Sequence, residues 1–206
     1  MRAPSTRTRK IAGLAVGPVA VLVAGLLVWQ GSNAAFSSNT RNPGNSWSTG
    51  SVTLTDDDNG TAGFTVKNLV PGQTGSKCIK VTASSSVPGV VRGYVANLDA
   101  SAQGLEKHIV FDVTQGTGGS FNDCTGFVAD GGDTVGPQPL STLAVVNKDF
   151  ASGGTPWNTT GNADGESKVF KGTWKFDTTG LTQSQVDALQ GAQTSIDLVW
   201  ELQNNE

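Results

Sequence analysis

Histidine, methionine and tyrosine each occur once in these 206 residues, and cysteine only twice. A zinc hydrolase of the HExxH kind needs two imidazoles on one face and a carboxylate to activate water. A single His108 supplies neither the pair nor the motif. Its place in "LEKHIVF", opposite the apolar residues, reads as an exposed position on a strand. No serine sits in a nucleophile-elbow sequence, and neither cysteine has a base beside it, so the common nucleophilic triads are absent too. No spacing of acidic residues singles out a carboxylate pair for glycoside hydrolysis. The cluster "DDDNG" starts like a calcium loop, but the twelfth position counted from Asp56 is Lys67, where a bidentate acid is required. Asp56 and Asp58 stay as weak metal candidates. Asn59-Gly60 between two alternating runs predicts a charged hairpin turn. No cofactor is implied.

Basic residues are scarce where they would matter. Arg2, Arg7, Arg9 and Lys10 precede the apolar run Ile11 to Trp29, and "QGSNAA" follows with small residues. Charge, apolar core and small residues in that order form a secretory signal peptide over 1–34, cut between Ala34 and Ala35. The apolar run is nearly long enough to span a bilayer, so retention as an anchor is the competing outcome. Cleavage removes four of fourteen basic residues and none of seventeen acidic ones, leaving 172 residues with a net charge of −7. An acidic exported domain without a basic patch is no partner for nucleic acid, and meets a membrane only through its leader. In an oxidising compartment Cys78 and Cys124 read as a disulfide, with two buried thiols as the alternative.

Most of what remains alternates. "SVTLT", "AGFTVKNL", "SKCIKVTA", "GVVRGYVANL", "GLEKHIVFDV", "KVFKGTWKFD" and "TSIDLVWELQ" carry apolar residues at every second position, broken by Gly, Asn, Asp and Pro clusters. In the fifth run, Leu105, Ile109, Phe111 and Val113 face inward and Glu106, His108 and Asp112 outward. The pattern predicts an all-β fold, an antiparallel sandwich with one short helix before the last strand. That helix lies in "GLTQSQVDALQG", where Thr182 and Gln185 have capping-box spacing, Leu181 and Val186 the staple positions, and Gly191 the left-handed cap. The stretch 116–165 is rich in Gly, Asp, Asn and Pro and predicts long loops. Trp174 and Trp200 fall on apolar strand faces, whereas Trp47 and Trp157 lie in polar surroundings and are the two residues open to ligand stacking.

The ends of the exported chain resemble a known group. "AAFSSNT" after the leader, "NSWSTGSVTLT", and "FTVKNLVPGQTGSKCIKVT" with its Asn68-Leu69-Val70-Pro71-Gly72 turn are similar to the TasA/CalY (camelysin) family, as is the closing "SIDLVWELQ". The resemblance covers both ends and not 116–165. It implies a jelly-roll-like sandwich over 51–206 preceded by an arm over 35–50, and a leader cut by a dedicated signal peptidase of the SipW type. It also implies self-association into biofilm-matrix or cell-surface fibres, alone or with a paralogous matrix protein. Such fibres grow by donor-strand exchange, in which Ala35, Phe36, Ser37, Ser38, Asn39 and Thr40 would complete a sheet of the next subunit. The cysteine pair and the loop-rich centre depart from the family pattern. A monomeric adhesive or glycan-binding sandwich is the alternative function. The family's metallopeptidase activity is a weaker alternative still, but the label finds no ligand set in these residues, so no enzyme is expected.

Overall fold

A computed structural model describes residues 37–39 and 52–204, all within one compact unit, Phe36–Glu206. The leader, its cleavage site at Ala34 and Ala35, Phe36, Thr40 and Trp47 lie outside the described residues. Nine strands are present among those described: β1 (Ser37–Asn39), β2 (Val52–Asp56), β3 (Thr74–Ser85), β4 (Gly89–Asp99), β5 (Ile109–Thr117), β6 (Val128–Pro139), β7 (Gly154–Thr159), β8 (Glu166–Phe176) and β9 (Ser195–Asn204). They form two antiparallel sheets, in the orders β1-β9-β4-β7 and β2-β3-β8-β5-β6. Except for the β2–β3 and β5–β6 neighbours, consecutive strands switch sheets. Leaving β2 aside, the order is that of a jelly roll.

The alternation explains the core. Ile79, Val81 and Ala83 of β3 and Phe170, Trp174 and Phe176 of β8 face the same interior as Val91 and Val95 of β4 and Trp200 and Leu202 of β9. Phe170 and Trp200 meet across the two sheets with ring centroids 5.6 Å apart. Gly75 pairs with Trp174, and a side chain there would come within 2.7 Å of the indole nitrogen, so glycine lets the ring lie over the strand.

Helix α1 (Leu140–Val146) seals one side of this interior with Leu143, and α2 (Gln183–Asp187) precedes β9 as expected. The capping box of α2 is formed: Gln185 N donates to Thr182 Oγ1 at 3.4 Å, and Thr182 N donates to Gln185 Oε1 at 2.8 Å.

Four expectations need correction. The stretch 116–165 is not mainly loop, since it contains β6, α1 and β7. β6 and β7 are edge strands, where one face and one edge meet solvent and strict alternation is not required. "AGFTVKNL" is not a strand; residues 61–72 run irregularly, with Asn68 at a φ of 54°. Asn59 and Gly60 do make a left-handed turn, φ 52° and 74°, but β3, which pairs with β2, begins only at Thr74, so the turn does not join a tight hairpin. Finally, "LEK" of the fifth run is a 3-10 turn, and Glu106 is buried, accepting hydrogen bonds from Ser101 N and Oγ.

Candidate functional site at the β1 flank

The two sheets leave two flanks, and among the described residues the one formed by β1 and β2 is incompletely paired. β9 is bonded along nearly its whole length to β4, from Gly89↔Asn204 to Asp99↔Ser195. On its other side β1 pairs only with Glu201, Leu202 and Gln203. Among the described residues no strand pairs with 195–200 on that side. β3 is in a similar position: β8 runs beside Thr74–Ala83, whereas β2 covers only Val81–Ser85. The backbone of β3 from Thr74 to Ile79 has no strand partner on the β2 side among the described residues.

Side chains fill the gap that strands leave. Lys80 N donates to Asp57 Oδ1 at 2.8 Å, so a carboxylate takes the next ladder position after Asp56. The irregular segment 61–72 then inserts Phe64 edge-on against Phe111, at a centroid distance of 5.8 Å and an interplanar angle of 84°. Leu69 packs against the same core cluster. Val70-Pro71-Gly72-Gln73 closes the segment as a tight turn, with Gln73 N donating to Val70 O at 3.0 Å and Gly72 at a φ of 77°. Gly72 N then donates to Phe176 O at 2.9 Å, tying the turn to β8.

Of the residues expected to form the subunit-contact arm, Ser37, Ser38 and Asn39 are β1, folded back on the chain's own β9 in register with Gln203, Leu202 and Glu201. They belong to a sheet of the sandwich and not to a segment outside it. Cys78 and Cys124 form the disulfide, with a Cα–Cα distance of 5.4 Å. Trp157 corrects an expectation. It is 8 % exposed and sits in the core cluster with Phe170 and Trp200, so its ring offers no open face for a ligand. The polar surroundings that suggested exposure belong to an edge strand whose alternate positions Thr155, Trp157 and Thr159 all turn inward.

Asp56 continues the inward row of Val52 and Leu54 at the end of β2. Burial first, and then the hydrogen bond and charge of Asp58, push its carboxyl from 3.8 up to about 6. Asp58 Oδ1 also accepts from Gly60 N at 2.6 Å and so serves the turn. Among the described residues no three His, Cys, Asp or Glu side chains are grouped to hold a metal ion, and no helix is long and apolar enough to cross a membrane. Asp56 and Asp58 therefore have no third ligand beside them. Neither the models of known protein families nor the characterised proteins give a match to this chain.

Proposed function

We propose that this chain is an exported structural protein that assembles into extracellular fibres by exchanging β1 between subunits. The observation that carries the reading is the mismatch, among the described residues, between a three-residue β1 and the ten-residue β9 it borders. A cis strand of this length contributes few backbone hydrogen bonds, while its tether keeps it at a high effective concentration. An equivalent segment from a neighbour forms the same bonds at 201–203 and gains more if it continues along 195–200. The contact is heterologous, so repetition extends a filament and does not close a ring. The disulfide fits an oxidising compartment outside the cell.

The test is a tether. Ser37 and Gln203 are direct cross-strand partners, and the pair Ser37→Cys/Gln203→Cys locks β1 to its own β9 when oxidised. Chain beginning at Ala35 is expected to form filaments in electron micrographs. The oxidised pair is expected to stay monomeric, and to recover polymerisation on reduction if the native bond is preserved. Filaments growing equally well from the locked variant would remove strand exchange as the mechanism.

A further inference from the structure

The connection between β5 and β6 does not project into solvent but lies across the outer face of the five-stranded sheet. Over Gly116 of β5, ring atoms of Phe127 stand 2.9 Å from where a Cβ would be, so only glycine admits the ring there. Lys171 Nζ of β8 is 5.8 Å from the centroid of Phe127. Next, Cys124 is bonded to Cys78 of β3. At the far end Phe121 N donates to Asp57 Oδ2 at 2.9 Å, and Lys77 Nζ stands 4.1 Å over the Phe121 ring. Residues 118–127 thus form a strap reaching from β5, past β8 and β3, to the end of β2.

This cover explains two burials that strand alternation does not. Cys78 and Val169 point outward, opposite to Ile79 and Phe170, yet they are 0 % and 4 % exposed. Besides the disulfide, the strap is held by Phe121, which is half-buried and packs against the core cluster of Leu54, Ile79 and Val81, and by few polar bonds. Its own bonds are local, Ser120 N to Asp123 O, Thr125 N to Asp123 Oδ1 and Phe127 N to Cys124 O. Without the disulfide, its attachments are that packing of Phe121, one hydrogen bond to Asp57 and two ring contacts with lysines, the last three each a weak restraint.

We propose that residues 118–127 are a redox-releasable cover and that Cys78–Cys124 is its lock. The reductant is a dithiol, whether a small molecule or a thioredoxin-like protein. One of its thiolates attacks Sγ of Cys124, which is half-buried, in preference to the fully enclosed sulfur of Cys78. The Cys78–Cys124 bond breaks, a mixed disulfide forms on Cys124, and Cys78 leaves as a thiolate and takes up a proton. The second thiolate of the reductant displaces Cys124, which is protonated in turn, and the reductant ends as a disulfide. Two electrons and two protons pass to the protein. In a reducing compartment the strap is open; on transfer to an oxidising one it closes over Val169 and docks Phe121 beside Asp57. This device stands whether or not the chain forms filaments.

The experiment treats the full chain with dithiothreitol, then alkylates it under native conditions and digests it briefly with chymotrypsin. On reduction, cleavage after Phe121 and Phe127 is expected to rise on the order of tenfold, because only the strap opens. Cys78 becomes alkylated, while tryptophan emission and protection at Trp174 and Trp200 stay as in the oxidised protein. The double variant Cys78→Ala/Cys124→Ala is expected to show the open pattern with or without reductant. Unchanged cleavage and an unreactive Cys78 in the reduced chain would overturn the proposal, since the strap would then hold itself down. Loss of the tryptophan signal with cleavage throughout the core would also overturn it, by making the bond a support of the whole sandwich.

Discussion

The two flanks of the sandwich handle the same problem, an exposed strand edge, in opposite ways. At the β6/β7 flank β6 pairs with β5 from Val110 to Thr117, β7 pairs with β4 only from Gly89 to Gly93, and both edge strands are made poor templates by composition. β6 breaks register twice against β5 and carries Pro137 and Pro139, and β7 carries Pro156. Proline removes a ladder donor and bulges twist the edge, so neither strand invites another. At the β1/β2 flank the strands, as far as they are described, are regular but short. Among the described residues β1 covers three residues of β9 and β2 covers five of β3, and beside them the segment 61–72 inserts Phe64 against Phe111. One flank is closed by what its edge strands are made of. The other, among the described residues, is closed by the short β1 and β2 and by the segment 61–72 that lies beside them.

Substitutions on the two flanks should therefore differ in size. Phe64→Ala removes the ring that plugs the open flank against Phe111 and is expected to destabilise by about 2 kcal/mol, below the value for a fully buried phenylalanine because Phe64 is half-buried. A shift in the urea midpoint at unchanged slope would measure it. No shift would mean that residues 61–72 contribute nothing to closing that side.

A smaller effect is expected at Asp56, and its sign follows from linkage. The folded state holds this proton more tightly than the unfolded chain, so stability from Asp56 is greatest below 3.8 and declines as pH rises to about 6. Asp56→Asn keeps the side chain neutral, so the variant should gain thermal stability over wild type at pH 7 and gain little at pH 4. Equal differences at both pH values would show that Asp56 titrates normally.

The smallest change belongs to the closed flank. Lys168 and Asp130 join β8 to β6 at 2.7 Å, yet both side chains keep water contact, with exposures of 20 % and 27 %. Lys168→Ala is expected to cost about 0.5 kcal/mol, reduced further by salt, as for other solvent-screened pairs. A loss as large as that at Phe64 would mean that the flank is held by this pair and not by the construction of its strands.

Legibility in the sequence followed the strength of each local pattern. β3, β4, β8 and β9 were readable because buried sandwich strands with one face in the core must alternate. The α2 cap was readable because Thr182 and Gln185 satisfy each other within one turn. β6 was not, since "VADGGDTVGPQP" is shaped by bulges and needs no apolar row. Helix α1 is two turns of mostly apolar residues, too short for a 3.6-residue period to show. "AGFTVKNL" has the alternation of a strand but no described strand pairs with it, and Phe64 and Leu69 pack against the core from an irregular segment. For the flank, the sequence pointed to the segment around Ser37–Asn39 but not to where it lies.

By itself, then, the amino-acid sequence determined the fold class, the inward residues of the long strands, the cysteine pair and the cap of α2. All of these rest on contacts within a strand or a turn, or on a compartment. Only the tertiary structure decided that β1 returns to its own β9, that Trp157 is core, that residues 118–127 are a strap, and that one flank is half-paired among the described residues. Each of these depends on which distant segments come to lie side by side. Period-two alternation says which face of a strand is buried, and is silent on what stands at its edge.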